Sequence, residues 1–213
     1  MIASSFTSPI DALYLAAIFD PIFTASYPDQ RQVEPISLLQ AILRAFAAPR
    51  PHPPPGTCLV DVSTLLEMNN RPVVIFAECT TTNARGILPL SHSLLSVPPK
   101  TKIFPVSLRY TPADVVTPLP RCYVSFLWCL LSKPTHGIRV RIAEAVVVGA
   151  SVSGCGRRRV EAGNDDDLSP SDKALLDSAG EALARLGRVK RVGLGVQDKV
   201  GFVRLWTRTR RIW

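Results

Sequence analysis

Paired cysteines and metal-ligand clusters are missing from this sequence of 213 residues. Its five cysteines form no C-x-x-C pair, and none has a histidine at metal-ligand spacing. Structural zinc sites and the disulfide frameworks of secreted domains need such spacings. The sequence therefore predicts buried or incidental thiols in a reducing compartment, with no metal and no cofactor.

Long hydrophobic runs are also missing, since no stretch approaches the roughly 18–20 apolar residues of a transmembrane helix. The N-terminus has an apolar middle but no basic residues before it, and Asp11 and Asp20 flank it, so it is not a signal peptide. The longest apolar run is 122–131, CYVSFLWCLL. Its length is typical of a buried core element or of an interfacial segment, and we favour the core.

Charged residues are few, and most of the excess is basic. They make up 20% of the chain, with 25 Lys and Arg against 17 Asp and Glu, while 46% of residues are hydrophobic, which excludes a wholly disordered protein. Nine basic residues and one acidic residue lie between Arg185 and Arg211. A nucleic-acid partner is not expected, because only Trp206 and Trp213 accompany this charge. A solvated basic face or a membrane-surface contact explains it more simply.

Hydrophobic periodicity predicts helices alternating with buried strands. Helices are expected at 9–20, with Ser8 as N-cap, and at 36–46, 60–68 and 170–187; strands are expected at 73–76, 102–110 and 137–144. This order indicates an α/β fold with a mixed, largely parallel sheet flanked by helices and a C-terminal helical, basic extension. We expect a domain at 1–150, a linker at 151–169 and a C-terminal helix with a basic tail at 170–213.

A polar segment follows the first predicted strand directly. Residues 78–86 read ECTTTNARG, with hydroxyl and amide side chains between Glu78 and Arg85. Ligands gather beyond the carboxyl ends of strands in α/β sheets, so this segment is a candidate phosphate- or hydroxyl-binding loop. A threonine-rich turn that only satisfies its own backbone is the alternative.

Three sequence blocks resemble those of the phospholipid/glycerol acyltransferases, specifically the lysophosphatidic acid acyltransferase group. Residues 73–90, VVIFAECTTTNARGILPL, resemble the Phe-Pro-Glu-Gly-Thr block, most closely the eukaryotic branch that continues Thr-Thr-Asn-Gly-Arg. Residues 103–106, IFPV, resemble the later Val-Pro-Val block. The segment SFLWCLLSKP and the strand after it resemble the end of that domain, and the resemblance covers roughly residues 2–145.

The family's first block is His-x-x-x-x-Asp, and here the matching residues are Phe6 and Asp11. The resemblance implies that the His acts as general base on the acceptor hydroxyl while the Asp orients the imidazole. Phe6 cannot accept a proton, and none of the three histidines has an Asp five positions on. The catalytic candidate is therefore Asp11, with Phe6 at a degenerate base position.

The resemblance also implies an acceptor-binding site, for which the candidate residues are Glu78, Thr80, Thr81, Thr82, Asn83 and Arg85. Ala77 and Cys79 replace the Pro and Gly of the block, so the turn is less tightly shaped. No metal is expected at this site.

The function implied by the resemblance is acyl transfer from acyl-CoA, as co-substrate, to a lysophosphatidic-acid-like acceptor in phospholipid biosynthesis. The alternative is a catalytically impaired member that binds lipid or acyl-CoA. The implied location is a membrane surface, the cytoplasmic face of the endoplasmic reticulum or a lipid droplet. Family members usually carry a hydrophobic segment ahead of the first block, so an N-terminally truncated chain is expected.

Overall fold

The computed structural model describes residues 1–117, 119–147 and 168–210. The α-helices are α1 (Pro9–Phe19), α2 (Leu38–Arg44), α3 (Val62–Met68), α4 (Tyr123–Leu131), α5 (Pro170–Gly187) and α6 (Val196–Arg210). The strands are β1 (Ile2–Ser4), β2 (Ile22–Ala25), β3 (Glu34–Ile36), β4 (Val73–Phe76), β5 (Gly86–Ile87), β6 (Lys102–Thr111), β7 (Gly137–Ile142), β8 (Val146–Val147) and β9 (Lys190–Arg191).

Seven of the described strands form one mixed sheet, in the order β3-β2-β4-β1-β6-β7, with β8 also paired to β6. The four central strands, β2, β4, β1 and β6, run parallel, whereas β3, β7 and β8 are antiparallel to their neighbours. Strands β5 and β9 form a separate parallel pair. The predicted α/β class, with a mixed and largely parallel sheet flanked by helices, is confirmed.

The centre of the sheet explains why the predicted strand at 73–76 reads as a continuous apolar run. All four residues of β4 are buried, because the strand has a neighbour on each side and apolar layers above and below. It lies in register with β1, so that Ser4 pairs with Phe76 and both strands end at the same edge. The loops that leave these two strands therefore meet.

Helix α1 begins where the sequence predicts. Ser8 is its N-cap, Pro9 is its first residue, and the Asp11 side chain completes a capping box. Capping thus places an acidic side chain at the start of α1, directly after the loop from β1.

The predicted C-terminal helix is α5, and it contributes to the core. Ala179 and Leu183 are fully buried in the same apolar cluster as Leu94 and Ile103. The predicted linker at 151–169 lies almost wholly outside the described residues, and the division of the chain at residue 150 stays a prediction.

The apolar run at 122–131 is not a core element, so that interpretation was wrong. It forms α4, in which only Phe126 is buried, while Val124, Trp128 and Leu131 are 81%, 76% and 80% exposed. Apolar content alone cannot tell a buried helix from one with an uncovered apolar face. Among the described residues, no helix combines the length and hydropathy needed to cross a bilayer.

Candidate functional site

The loops after β1 and β4 lie together at the carboxyl edge of the sheet. The backbone N–H of Thr82 donates a hydrogen bond to the carbonyl of Phe6 across 2.9 Å. This bond joins residues 6–11, the segment that matches the family's first block, to residues 78–86, which we call the threonine-rich loop. Two regions about 70 residues apart in sequence thus form one candidate site, at the place where ligands bind in open α/β sheets.

Asp11 is fully buried, and hydrogen-bond donors surround its carboxylate. Oδ2 accepts from the Thr7 N–H at 2.6 Å, from the Thr7 hydroxyl at 3.1 Å and from the Ser8 N–H at 2.9 Å. Oδ1 accepts from the hydroxyl of Tyr110 on β6. Burial raises the pKa of Asp11 to about 6, while these donors pull it down. Both oxygens are therefore engaged within the protein.

Phe6 lies in the apolar core beside this carboxylate. Its ring stacks on the ring of Phe76 with a centroid distance of 4.3 Å, and the residue is only 3% exposed. The ring also lines a small void shared with Arg44 and Cys79. A stacked aromatic pair stabilises a core but cannot take a proton. The position that holds a base in the resembling family has a packing role here.

Glu78 is as buried as Asp11 but has fewer partners. Its Oε2 accepts from the Leu88 N–H at 3.3 Å, and its Oε1 has no hydrogen-bond partner among the described residues. Burial raises the pKa of Glu78 to about 8; the N–H groups of Leu88 and Phe6 oppose the shift, Asp11 adds to it, and Lys199 opposes it. Glu78 keeps an unused acceptor inside the site.

The rest of the threonine-rich loop runs from the interior to the surface. Thr80, Thr81 and Thr82 are buried, whereas Asn83 and Arg85 are exposed. The Asn83 side chain accepts from the Arg85 N–H at 3.1 Å, which turns the chain. The Arg85 guanidinium has no partner within the described part of the chain. The loop therefore combines internal bonds from its own backbone to the Thr82 and Asn83 side chains with an exposed guanidinium at its end.

Two non-glycine residues of this loop adopt left-handed backbone conformations. Cys79 has φ 59° and Ala84 has φ 57°, and both occupy positions where the resembling blocks carry Gly. Such a conformation costs about 1–2 kcal/mol for a residue with a Cβ. Burial raises the pKa of the Cys79 thiol to about 12, so the side chain is a neutral thiol. The loop keeps the glycine-type turn despite the substitutions, which contradicts a loosened turn.

Lys199 of α6 reaches into the same loop. Its ammonium donates to the Thr80 hydroxyl at 2.9 Å, to the Thr81 hydroxyl at 3.2 Å and to the Thr81 carbonyl. Burial lowers the pKa of Lys199 to about 8, and the field of Glu78 acts in the opposite direction. The C-terminal helix thus brings a positive charge into the candidate site.

Cavities lie on both sides of the threonine-rich loop. One, of about 400 Å³, is lined by Cys79 and Thr80 together with Arg44, Arg50 and Tyr123. The other, which we call the α6 cleft, has a volume of about 540 Å³ and is lined by Thr81, Thr82, Asn83, Arg85, Gly86, Leu88, Val192, Leu194, Gly195, Asp198, Lys199 and Phe202. Four of the six predicted acceptor-site residues line the α6 cleft.

The structure therefore brings the predicted residues to one edge but divides them between two cavities. Thr80 faces the first cavity, and Asp11 and Glu78 lie buried behind the loop. Sequence analysis missed Lys199 and Tyr110. The available signal for Lys199 was its spacing from Val196 and Val203, which puts a cation on the apolar side of a basic helix.

The chain is similar to a Schizosaccharomyces pombe (strain 972 / ATCC 24843) protein named "Putative lysophosphatidic acid:oleoyl-CoA acyltransferase". The two are 23% identical over 204 residues, which is 95% of this chain and 61% of that protein, so the chain spans about three-fifths of its relative's length. No family model matches the chain, and no solved structure matches it. This distant relative confirms the resemblance to the lysophosphatidic acid acyltransferase group that the sequence blocks indicate.

Proposed function

We propose that this chain transfers an acyl group from acyl-CoA to a lysophospholipid acceptor of the lysophosphatidic acid type. The observation that carries the proposal is the joining of the two loops at the carboxyl edge of β1 and β4, with the bond from Thr82 to Phe6. This bond holds the loops that carry Asp11, Glu78 and the threonine hydroxyls together at one edge of the sheet, which supports the proposal. The distant similarity to a protein named as such an enzyme points to the same class.

The proposed reaction forms two bonds, C–O and S–H, and breaks two, C–S and O–H. The acceptor hydroxyl oxygen bonds to the thioester carbonyl carbon, the carbon–sulfur bond breaks, and the hydroxyl proton ends on the thiolate of CoA. In the resembling family a His carries that proton. In this chain the proton passes to water or to another group near Asp11, and Glu78 is the described carboxyl group there with an unused oxygen.

A second candidate function is lipid or acyl-CoA binding without transfer. It is favoured by Phe6, whose ring lies in the core where the family has its base, and by Asp11, whose oxygens are both taken by internal donors. In this case the threonine-rich loop binds the acceptor and no group removes its proton.

The proposal includes a membrane surface as the place of action, since a lysophospholipid acceptor resides there. The exposed apolar residues of α4 and the basic residues of α6 support this part of it. Lys and Arg near an anionic surface each contribute about 1 kcal/mol. The cytoplasmic face of the endoplasmic reticulum or of a lipid droplet is the location we propose.

The test is transfer from labelled acyl-CoA to lysophosphatidic acid on liposomes, with the wild-type chain beside Glu78→Ala. We expect measurable transfer that Glu78→Ala lowers about 100-fold, the usual cost of a misplaced substrate. Glu67→Ala is the matched control, because Glu67 is an exposed carboxylate on α3. Lysophosphatidic acid binding without any transfer in the wild type would overturn the proposal in favour of the second candidate.

A further inference from the structure

We infer that Lys199 binds the phosphate of the acceptor, so that the C-terminal helix α6 supplies the headgroup site of the α6 cleft. The inference rests on the proposed function and names the substrate contact that selects a phosphorylated acceptor. Arg85, which lines the same cleft, is the second cation of this site.

The fold holds Lys199 in an inward position. Val196 and Val203, on the same face of α6, are both buried, and they fix the direction in which that face points. The start of the helix is held by a bond of 2.7 Å from the Gly195 N–H to the Asp198 carboxylate. Lys199 is therefore not a freely solvated surface lysine.

The charge of Lys199 is bound only by uncharged oxygens. Its three donors go to two hydroxyls and one carbonyl, and no carboxylate of the described residues forms an ion pair with it. The field of Glu78 acts on Lys199, but the two form no ion pair. A half-buried ammonium without a contacting anion pays a desolvation cost that an anionic ligand would offset. The arrangement is electrostatically incomplete, and an anion completes it.

An entering phosphate can take over these bonds without moving the helix. One phosphate oxygen replaces a threonine hydroxyl as acceptor, and the released hydroxyl is then free to donate to the same phosphate. Hydrogen bonds between charged partners are roughly twice as strong as those between neutral ones. The guanidinium of Arg85 at the cleft wall, which has no partner among the described residues, adds a planar donor set that suits phosphate.

The apolar side chains that line the rest of the α6 cleft indicate which chemical group the phosphate is attached to. Leu88, Leu194 and Phe202 line it, and Leu194 and Phe202 are 61% and 52% exposed. An anion with an apolar chain would cover these side chains. A volume of about 540 Å³ suits a headgroup and the first part of one chain. A single-chain phosphomonoester lipid meets both requirements.

The experiment measures binding calorimetrically for the wild type, Lys199→Met, Lys199→Arg and Lys173→Met. The ligands are short-chain lysophosphatidic acid below its critical micelle concentration, the matching monoacylglycerol, glycerol 3-phosphate, inorganic phosphate and CoA. Lys199→Met keeps the length of the side chain and removes its charge. Lys173→Met, at the first turn of α5, removes the same charge elsewhere. Thermal unfolding of each variant verifies that it is folded.

We expect Lys199→Met to weaken lysophosphatidic acid binding about tenfold and to leave monoacylglycerol binding unchanged. Lys199→Arg should retain most of the affinity, and Lys173→Met should match the wild type. Weaker, Lys199-dependent binding of glycerol 3-phosphate than of the lipid supports the lipid as the source of the phosphate. Equal affinity for the lipid and inorganic phosphate would overturn the assignment to a lipid.

Three other results separate this inference from the proposed function. Unchanged lysophosphatidic acid affinity in Lys199→Met overturns the inference even where acyl transfer is observed. A loss confined to CoA also overturns it, because the phosphate would then belong to the co-substrate. Lys199-dependent lipid binding in a chain without transfer supports the inference while the transfer proposal fails.

Discussion

The loops after β1 and β4 lie side by side, but they differ in what they leave available. In the first, the carboxylate of Asp11 accepts four internal hydrogen bonds, and Phe6 packs into the core. In the second, Glu78 has an oxygen without a partner, and Arg85 has no partner in the described chain. One loop has its polar groups satisfied, whereas the other still has groups to offer a ligand.

This difference separates the two loops by role. The loop after β1 contributes Phe6 to the core and Asp11 to the cap of α1, so both residues have structural roles. The threonine-rich loop has left-handed backbone conformations at Cys79 and Ala84, which cost free energy that the rest of the fold must offset. The proposals for binding and for proton removal can thus be tested on different residues.

The largest expected effect is on stability, and it contrasts the two carboxylates directly. Asp11→Ala should lower the free energy of unfolding by about 3–5 kcal/mol, because it leaves buried donors of Thr7, Ser8 and Tyr110 without an acceptor. Glu78→Ala should cost about 1 kcal/mol at pH 7, since it removes fewer bonds and a costly buried acid. Urea denaturation measures both. Equal losses would remove the contrast between the loops.

The second-largest expected effect is on the rate of acyl transfer, in variants that place a His at residue 6. Phe6→His alone leaves Oδ1 of Asp11 bound to Tyr110, so the new imidazole has no free carboxylate oxygen to orient it. Phe6→His with Tyr110→Phe frees that oxygen. We expect the double variant to raise the acyl-transfer rate about 100-fold over Phe6→Leu with Tyr110→Phe, its matched control.

Equal rates in these two double variants would show that the loop after β1 no longer points its residue 6 at the acceptor. Phe6→His alone should give a smaller increase than the double variant. A full increase from Phe6→His alone would mean that Tyr110 does not compete for Asp11. Circular dichroism verifies that each variant is folded before rates are compared.

The fold was predictable where local signals were strong. Capping residues predict α1, and a β-branched run predicts β4, because both depend on neighbours in sequence. Strands β1 to β3 have three or four residues each, which is too short for a periodic pattern. The exposure of α4 depends on which surfaces the rest of the chain covers, and this information is not local.

The residues of the candidate site were likewise predictable only where the signal is local in sequence. The resemblance predicts Asp11, Glu78 and the threonine-rich loop from contiguous blocks. Lys199 is 119 residues from its partner Thr80, and Tyr110 is 99 residues from Asp11. Contacts over such separations arise only when helices and strands pack, so the spacing of Lys199 from Val196 and Val203 indicates its helix face but not its partners in the threonine-rich loop.

The smallest expected effect is a pH dependence of folding stability, caused by Glu78 in the loop after β4. The folded protein raises the pKa of Glu78 to about 8 from an ordinary 4.5, so the folded state binds the proton more tightly than the unfolded state. Stability is therefore greatest below the ordinary pKa and falls as the pH rises toward 8. The raised pKa of Asp11 lowers stability in the same way, but only up to about pH 6. Lys199, whose pKa is lowered to about 8, makes stability rise again above pH 8.

Between pH 6 and 8 Glu78 dominates the fall in stability, while burial lowers the pKa of the Met1 amino group from 8.0 and gives a smaller rise over the same range. We expect the free energy of unfolding to fall by about 2 kcal/mol across it in the wild type and to stay nearly constant in Glu78→Gln, which keeps the shape of the side chain without its titration. Glu67→Gln, on the surface of α3, should keep the wild-type slope. A slope that survives in Glu78→Gln would mean that another group causes it and that the pKa of Glu78 is not raised. The carboxylates of the two loops would then differ less than their hydrogen bonds indicate.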